Sequence, residues 1–207
     1  MTAPTRPVGI GVDMRRILIC LCVTLWFSSV RADNLQNIAY ASSLGDIKLK
    51  FPNAYFRNEK PAWLQPNQAF YLITGNGLAG AIRILFTDSR PQAKRRLADN
   101  ASDPNFDSSG FLKRLAEESD DDALNVDWVR WSPVSPIPIE RYKQKYGTPA
   151  CSFDESMNPY CAWEKFSLTA AMSEDQKSVM FVTNYFTKIE QRMGWVAKFG
   201  FVPDYLK

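Results

Sequence analysis

Short runs of alternating apolar and polar residues, separated by turn residues, restrict the fold of this chain more than any other feature. Residues 69–74 are rich in aromatic and β-branched types, residues 75–77 read Gly-Asn-Gly, and residues 81–87 resume the alternation. Alternation with a period of two is typical of strands, and glycine with asparagine is typical of the turn that joins them. The sequence therefore predicts an antiparallel hairpin in the first half of the chain.

The last third of the sequence repeats this arrangement and then changes its period. Residues 166–170 alternate, residues 173–177 are turn-forming, and residues 179–186 predict the second strand of another hairpin. From residue 188 to 199 the apolar residues recur with helical spacing. The residues that this spacing places on one face are Ile189, Met193, Val196 and Ala197.

Other segments add two more strands and another helix to this expectation. Residues 47–51 alternate and predict a strand with one solvated face, and residues 127–131 predict another. Residues 139–146 predict a helix, because a proline precedes them and a glycine follows them. The expected fold class is α+β: a largely antiparallel sheet built from hairpins, covered by helices and closed by a C-terminal helix.

The first 32 residues have the pattern of a secretory signal peptide. Arg15 and Arg16 precede an uncharged run over 17–30, and Val30-Arg31-Ala32 stands before Asp33. The densest apolar part is too short for the roughly 20 residues that a membrane-spanning helix needs. We expect residues 33–207 to form a single exported domain, periplasmic or secreted, without a stable membrane span. Because residues 1–13 lack this pattern, a true start at Met14 is a further hypothesis.

Charge and histidine content exclude several classes of function. The leader holds four of the 25 basic residues and one of the 22 acidic residues, so the mature chain is formally neutral. A neutral chain gives no support for nucleic-acid binding, which depends on displacing counterions from phosphates. The absence of histidine excludes Ser-His-Asp and Cys-His catalysis and histidine-bearing zinc sites.

Two cysteines remain after the leader, Cys151 and Cys161. An isolated pair in an exported chain predicts a disulfide, which would stabilise the fold by about 2 to 3 kcal/mol. The alternative is a redox-active pair, but Cys-x-x-Cys spacing is absent.

The acidic loop over residues 99–107 is the one segment that suggests an ion. Asp99, Asp103 and Asp107 are evenly spaced among asparagines, and loops rich in oxygen ligands bind calcium. The calcium-loop order Asp-x-Asp-x-Asp-Gly is missing, so turn formation and helix capping are the favoured interpretation. Ion binding by this loop stays open, and no metal site, cofactor or catalytic residue is predicted.

The tryptophans around residue 130 form the candidate binding surface. Trp128 and Trp131 are separated by an odd number of positions, so a strand directs them to opposite faces. One of them is then expected to be exposed beside Arg130 and the proline-rich residues 133–138. The sequence nominates Trp128, Arg130 and Trp131 as a protein-contact surface, and the alternative is that both tryptophans are partly buried packing residues.

One part of the chain resembles a known group of proteins. The order of Tyr146-Gly147-Thr148-Pro149, the paired cysteines, an alternating hairpin and Lys188-Ile189-Glu190-Gln191-Arg192 is similar to small exported proteins of Gram-negative bacteria, including toxin-immunity proteins. This resemblance implies a non-enzymatic protein that binds a toxin or an envelope component. The alternatives are an envelope enzyme or ligand-binding protein that uses carboxylates on a cell-wall sugar or lipid, and a structural accessory of an envelope complex.

Overall fold

The computed structural model describes residues 38–75, 78–99 and 107–200, together with Val202 and Leu206. All of them belong to one compact unit, Asn34–Lys207. The predicted signal peptide and residues 100–106 of the acidic loop lie outside the described residues, and so does part of the 75–77 turn.

A nine-stranded sheet forms the centre of the described fold, and every strand pairing in it is antiparallel. The strand order is β1-β2-β3-β4-β9-β8-β7-β6, and β5 pairs with one end of β9. The two predicted hairpins are β2–β3 and β8–β9, and the expected α+β class is confirmed. The strands are β1 (Ala54–Glu59), β2 (Gln68–Gly75), β3 (Gly80–Asp88), β4 (Leu124–Pro133), β5 (Ile137–Pro138), β6 (Ala150–Phe153), β7 (Pro159–Trp163), β8 (Leu168–Met172) and β9 (Ser178–Asn184).

Helices lie before, between and after these strands. Their bounds are α1 (Leu44–Lys50), α2 (Arg90–Asp99), α3 (Ser108–Glu117), α4 (Asp120–Ala123), α5 (Ile139–Tyr146) and α6 (Lys188–Phe199). Helix α6 begins at a capping box between Thr187 and Glu190 and ends at Gly200, whose φ of 75° is left-handed. None of the helices that the structure describes is long and apolar enough to cross a membrane.

The strand predicted over residues 47–51 is wrong, because this segment belongs to helix α1. Ser43 caps the helix: the Asp46 amide donates to Ser43 Oγ at 3.0 Å, and the Ser43 amide donates to Asp46 Oδ2 at 2.8 Å. Leu44 and Ile47 are buried at helical spacing, whereas Leu49 is 81% exposed. Reciprocal capping at the helix start outweighs an alternation only five residues long.

One face of the sheet holds a continuous buried row across its strands. Residues directly opposite one another in antiparallel strands share a face, and the register aligns the row from β2 to β7. Each member is at most 1% exposed: Ile73, Ile82, Trp131, Val182, Ala170 and Cys161. Helix α5 packs on this face, because Tyr142 lies 5.8 Å from the ring of Trp163. This row is the core that joins the two halves of the sheet, which are β1 to β4 and β6 to β9.

Helix α6 packs with a different side inward from the one that its apolar pattern suggests. A Cβ built at Gly194 would lie 2.6 Å from the carbonyl oxygen of Tyr40, so the helix approaches the 38–43 segment closely at this glycine. Trp195 is buried beside it, while Ile189 and Met193 are 68% and 67% exposed. The absence of a side chain at Gly194 therefore decides which side of α6 faces the protein.

Candidate functional site

The two tryptophans of the predicted contact surface lie on opposite faces of β4. Trp131 belongs to the buried row, between Ile82 and Val182, and is 1% exposed. Its nomination as a contact residue is therefore wrong: it fills the core. Trp128 and Arg130 share the other face, and both are half-buried. The spacing predicted opposite faces, but the strand's own sequence does not say which face is covered.

A β-bulge at Asp127 sets the direction of Trp128. Phe86 pairs with Val126 and Leu85 pairs with Trp128, so Asp127 is the extra residue between them. The bulge places Val126 in the core and Trp128 on the opposite face, although they are two positions apart. Thr87 Oγ1 donates to Asp127 Oδ2 at 3.2 Å. Burial raises the pKa of Asp127, and this hydrogen bond acts in the opposite direction.

Aromatic rings form a continuous line on the face that carries Trp128. Successive ring centroids are 5.3 Å apart from Trp63 to Phe70, 5.6 Å from Phe70 to Trp128 and 6.4 Å from Trp128 to Tyr185. Phe70 is buried beneath its neighbours, whereas Trp63 and Tyr185 are 53% and 46% exposed. We name this surface, with Arg130 and Phe181, the aromatic–arginine face. Its residues are Trp63, Phe70, Trp128, Arg130, Phe181 and Tyr185.

Arg130 is held in one position at the centre of the aromatic–arginine face. Its Cζ lies 5.4 Å from the ring centroid of Trp128 and 4.4 Å from that of Phe181. Its Nε donates to Thr183 Oγ1 at 3.1 Å. Contact with two rings stabilises a guanidinium group and limits its rotation. The guanidinium group of Arg130 therefore has a defined orientation on this face.

A second arginine lies directly across from Arg130. Arg83 is its partner in the β3–β4 register, and Arg83 Nε lies 3.6 Å from Glu59 Oε2. Glu59 also pairs with Arg57. Among the described residues, none of the ion pairs includes Arg130. Burial lowers the pKa of Arg130 and the charge of Arg83 lowers it further, while the Tyr185 hydroxyl raises it.

No protein-family model, curated protein or solved structure matches this chain. The interpretation of the aromatic–arginine face therefore depends on its own geometry and chemistry.

The predicted disulfide is confirmed. Cys151 on β6 and Cys161 on β7 are directly opposite one another, with a Cα–Cα distance of 4.0 Å. Cys161 is buried, while Cys151 lies on the exposed strand β6. The bridge therefore attaches an edge strand to the core.

Three acidic groups that line a cavity in the described part of the chain have structural roles. A cavity of about 930 Å³ lies between residues 38–46 and helix α6, and Asp46, Glu118 and Glu190 line it. Asp46 and Glu190 complete capping boxes, and Glu118 pairs with Lys198 at 3.0 Å. Aspartate, glutamate and cysteine side chains nowhere form a group of three suited to a metal ion within the described residues.

The sequence identified two members of the aromatic–arginine face and missed the others. Trp128 and Arg130 were nominated, whereas Trp63, Phe70, Phe181 and Tyr185 were not, and neither was the neighbouring Arg83. Strand alternation does carry part of the signal, because Phe181 and Tyr185 alternate with the buried Val182. What brings them to Arg130 is the pairing of β4 with β9, more than 50 residues apart in the chain.

Proposed function

We propose that this protein is exported to the periplasm and acts by binding another protein through the aromatic–arginine face. The observation that carries this proposal is the arrangement of Arg130: a half-buried arginine, fixed by two rings and without an ionic partner among the described residues, next to the exposed rings of Trp63 and Tyr185. Tryptophan, tyrosine and arginine are the residues that most often dominate the binding energy of protein interfaces.

The rigidity of this surface supports the proposal. Phe70, Trp128 and Phe181 belong to strands of the central sheet, and Arg130 is fixed by Thr183 on the neighbouring strand. Groups held in place before binding lose little conformational entropy in the complex, which favours affinity. The signal-peptide pattern and the disulfide support export to an oxidising compartment.

The resemblance to exported immunity-type proteins suggests the kind of partner. Such a partner is a secreted toxin or a component of the envelope, and binding alone is sufficient for inhibition or assembly. The absence of histidine removes the commonest general base and supports a binding role over a catalytic one.

Site-specific photo-crosslinking in the native host tests the proposal. We would incorporate benzoylphenylalanine into the full chain at position 63 or 185, and at position 49 as a matched exposed control on helix α1. The proposal expects one protein to be cross-linked from positions 63 and 185, but not from position 49. Equal cross-linking from all three positions, or none from 63 and 185, contradicts it.

The affinity of the captured protein gives the quantitative test. Replacing Trp63 by alanine is expected to weaken binding by about 2 kcal/mol, as at a central interface aromatic residue. Leu49→Ala is the matched control and is expected to bind like the wild type, because Leu49 projects from α1 and is 81% exposed. Circular dichroism melts of both variants would show that folding is retained. Unchanged affinity of a folded Trp63→Ala variant contradicts the proposal.

A further inference from the structure

Two arginines face each other across neighbouring strands, an arrangement that does not stabilise a sheet. Arg83 and Arg130 are directly paired between β3 and β4, so both side chains leave the same face. Like charges at directly opposite positions repel one another and lower the stability of the strand pair. A carboxylate between the two groups would remove this repulsion.

The nearby carboxylate serves only one member of the pair. Glu59 lies 3.6 Å from Arg83 and also contacts Arg57, but it forms no ion pair with Arg130. Trp128 and Phe181 flank the Arg130 guanidinium and take part of it out of water. A partly desolvated positive group binds an anion more strongly than one in bulk water does.

Hydrogen bonds to Thr183 and Tyr185 orient the guanidinium group of Arg130. Its Nε is used by Thr183 Oγ1 at 3.1 Å, which orients the guanidinium plane. The Tyr185 hydroxyl uses one of the guanidinium donors. The terminal amino groups carry further N–H donors, and their planar fork suits the two oxygens of a carboxylate.

We infer that Arg83 and Arg130 form a receptor for the carboxylate of an aspartate or glutamate side chain on the partner protein. The inference rests on the proposed function and names the chemistry that the aromatic–arginine face recognises. Charge complementarity selects the acidic residue, and the rings of Trp128 and Phe181 limit access of water to the ion pair.

Peptide binding by the full chain tests this inference directly. The probes are N-acetyl-hexaglutamate amide, the neutral N-acetyl-hexaglutamine amide and inorganic phosphate, each measured by titration calorimetry at low salt. Hexaglutamate should bind, and Arg130→Met should weaken its binding roughly tenfold or more. Arg57→Met is the matched control, because Arg57 lies on the same face but outside the pair, and it should change binding by less than about threefold. Equal binding of hexaglutamate to the wild type and to Arg130→Met, or tighter binding of phosphate than of hexaglutamate, overturns the inference.

One further variant and a stability measurement separate this role from a structural one. Arg130→Lys keeps the charge but loses the planar fork, so its affinity for hexaglutamate should fall between the wild type and Arg130→Met. Without any ligand, the melting temperature of Arg130→Met should fall moderately, because the substitution removes the hydrogen bond to the buried Thr183 and the contacts with Trp128 and Phe181 as well as the repulsion from Arg83. Binding is therefore measured well below the melting temperatures of all variants, and a folded Arg130→Lys that binds hexaglutamate no better than Arg130→Met, with both equal to the wild type, overturns the inference.

The outcomes for this site and for the proposed function are distinguishable. If the partner cross-links at position 63 but binds Arg130→Met as tightly as the wild type, protein binding stands and the carboxylate receptor is refuted. If hexaglutamate binding depends on Arg130 but nothing cross-links, carboxylate recognition by the two arginines stands, and both protein binding through this face and the assignment of the carboxylate to a partner protein are refuted.

Discussion

Asp127 and Arg130 are partly removed from water on strand β4, and neither takes part in an ion pair among the described residues. Their effects on the molecule differ. Arg130 is oriented by rings and by Thr183, which suits it to an external anion, whereas Asp127 accepts a hydrogen bond from Thr87 inside a bulge. A part-buried carboxylate without a cation lowers stability whenever it is ionised.

Replacing Asp127 by asparagine should therefore stabilise the protein at neutral pH. Burial raises the pKa of Asp127 in the folded state above its unfolded value. Its contribution to stability is thus fully present below the unfolded pKa and is lost as pH rises through the folded pKa. At pH 7 the Asp127→Asn variant should gain about 1 kcal/mol, since the amide oxygen can still accept from Thr87. Below about pH 4 the gain should disappear, because both side chains are then neutral.

Thermal melts of the wild type and the variant at pH 7 and pH 3.5 check this expectation. Asp175→Asn serves as the control, because its effect on stability should depend on pH in the opposite direction. The Ser173 hydroxyl donates to Asp175 and lowers its pKa, so this carboxylate contributes stability above the unfolded pKa and loses it as pH falls. An Asp127→Asn variant that melts below the wild type at pH 7 would show that the charge itself is required.

At the scale of elements, the sequence predicts two helices from their ends but does not predict the strand at one edge of the sheet. Helix α5 and helix α6 have the bounds that their flanking proline, glycine and apolar spacing predict. Strand β6 has all four residues exposed, so no alternation of buried and exposed positions marks it, and its sequence does not predict a strand. Its place in the sheet depends on pairing with β7 and on the disulfide.

Removal of the disulfide should release this edge strand and lower stability. The double variant Cys151→Ala/Cys161→Ala is expected to lose about 2 to 3 kcal/mol, the usual value for closing a short loop. Alanine is preferred to serine because Cys161 is buried, and a hydroxyl there would add the cost of an unpaired polar group. The measurement is the free energy of unfolding in urea, and the double variant is compared with the wild type in the presence and absence of reductant.

Binding should respond differently from stability in this variant. The bridge is on the buried row, whereas the aromatic–arginine face is on the other side of the sheet. Cross-linking from position 63 should therefore persist at temperatures well below the melt. Unfolding curves of the double variant that coincide with those of the oxidised wild type would mean that pairing with β7 alone holds β6.

At the scale of the whole molecule, local patterns predict the hairpins, and long-range register determines the face that binds. The β2–β3 and β8–β9 hairpins follow from alternation and turn residues close together in the sequence. The β4–β9 pairing joins segments more than 50 residues apart, and only this pairing brings Phe181 and Tyr185 to Arg130. Alternation within β4 could not say whether Trp128 or Trp131 was exposed, because both sides of the strand carry tryptophan.

Trp131 lies where the two halves of the sheet meet, and its removal should affect both. It pairs with Ile82 on one side and Val182 on the other, and it is fully buried. Trp131→Ala is expected to cost about 3 to 5 kcal/mol, because it removes a large ring and leaves a cavity. Since the buried row is continuous through this position, amide hydrogen exchange should speed up equally in β3 and in β8.

Trp63→Ala is the matched control, because it removes the same ring from an exposed position. Hydrogen exchange in both halves should then stay close to that of the wild type. Equal changes in β3 and β8 for Trp131→Ala would show that the sheet unfolds as one cooperative unit, so that the aromatic–arginine face persists only while both halves are folded. Faster exchange in one half alone would show instead that the halves open independently, and then the contact of Arg130 with Phe181 would break before the protein unfolds.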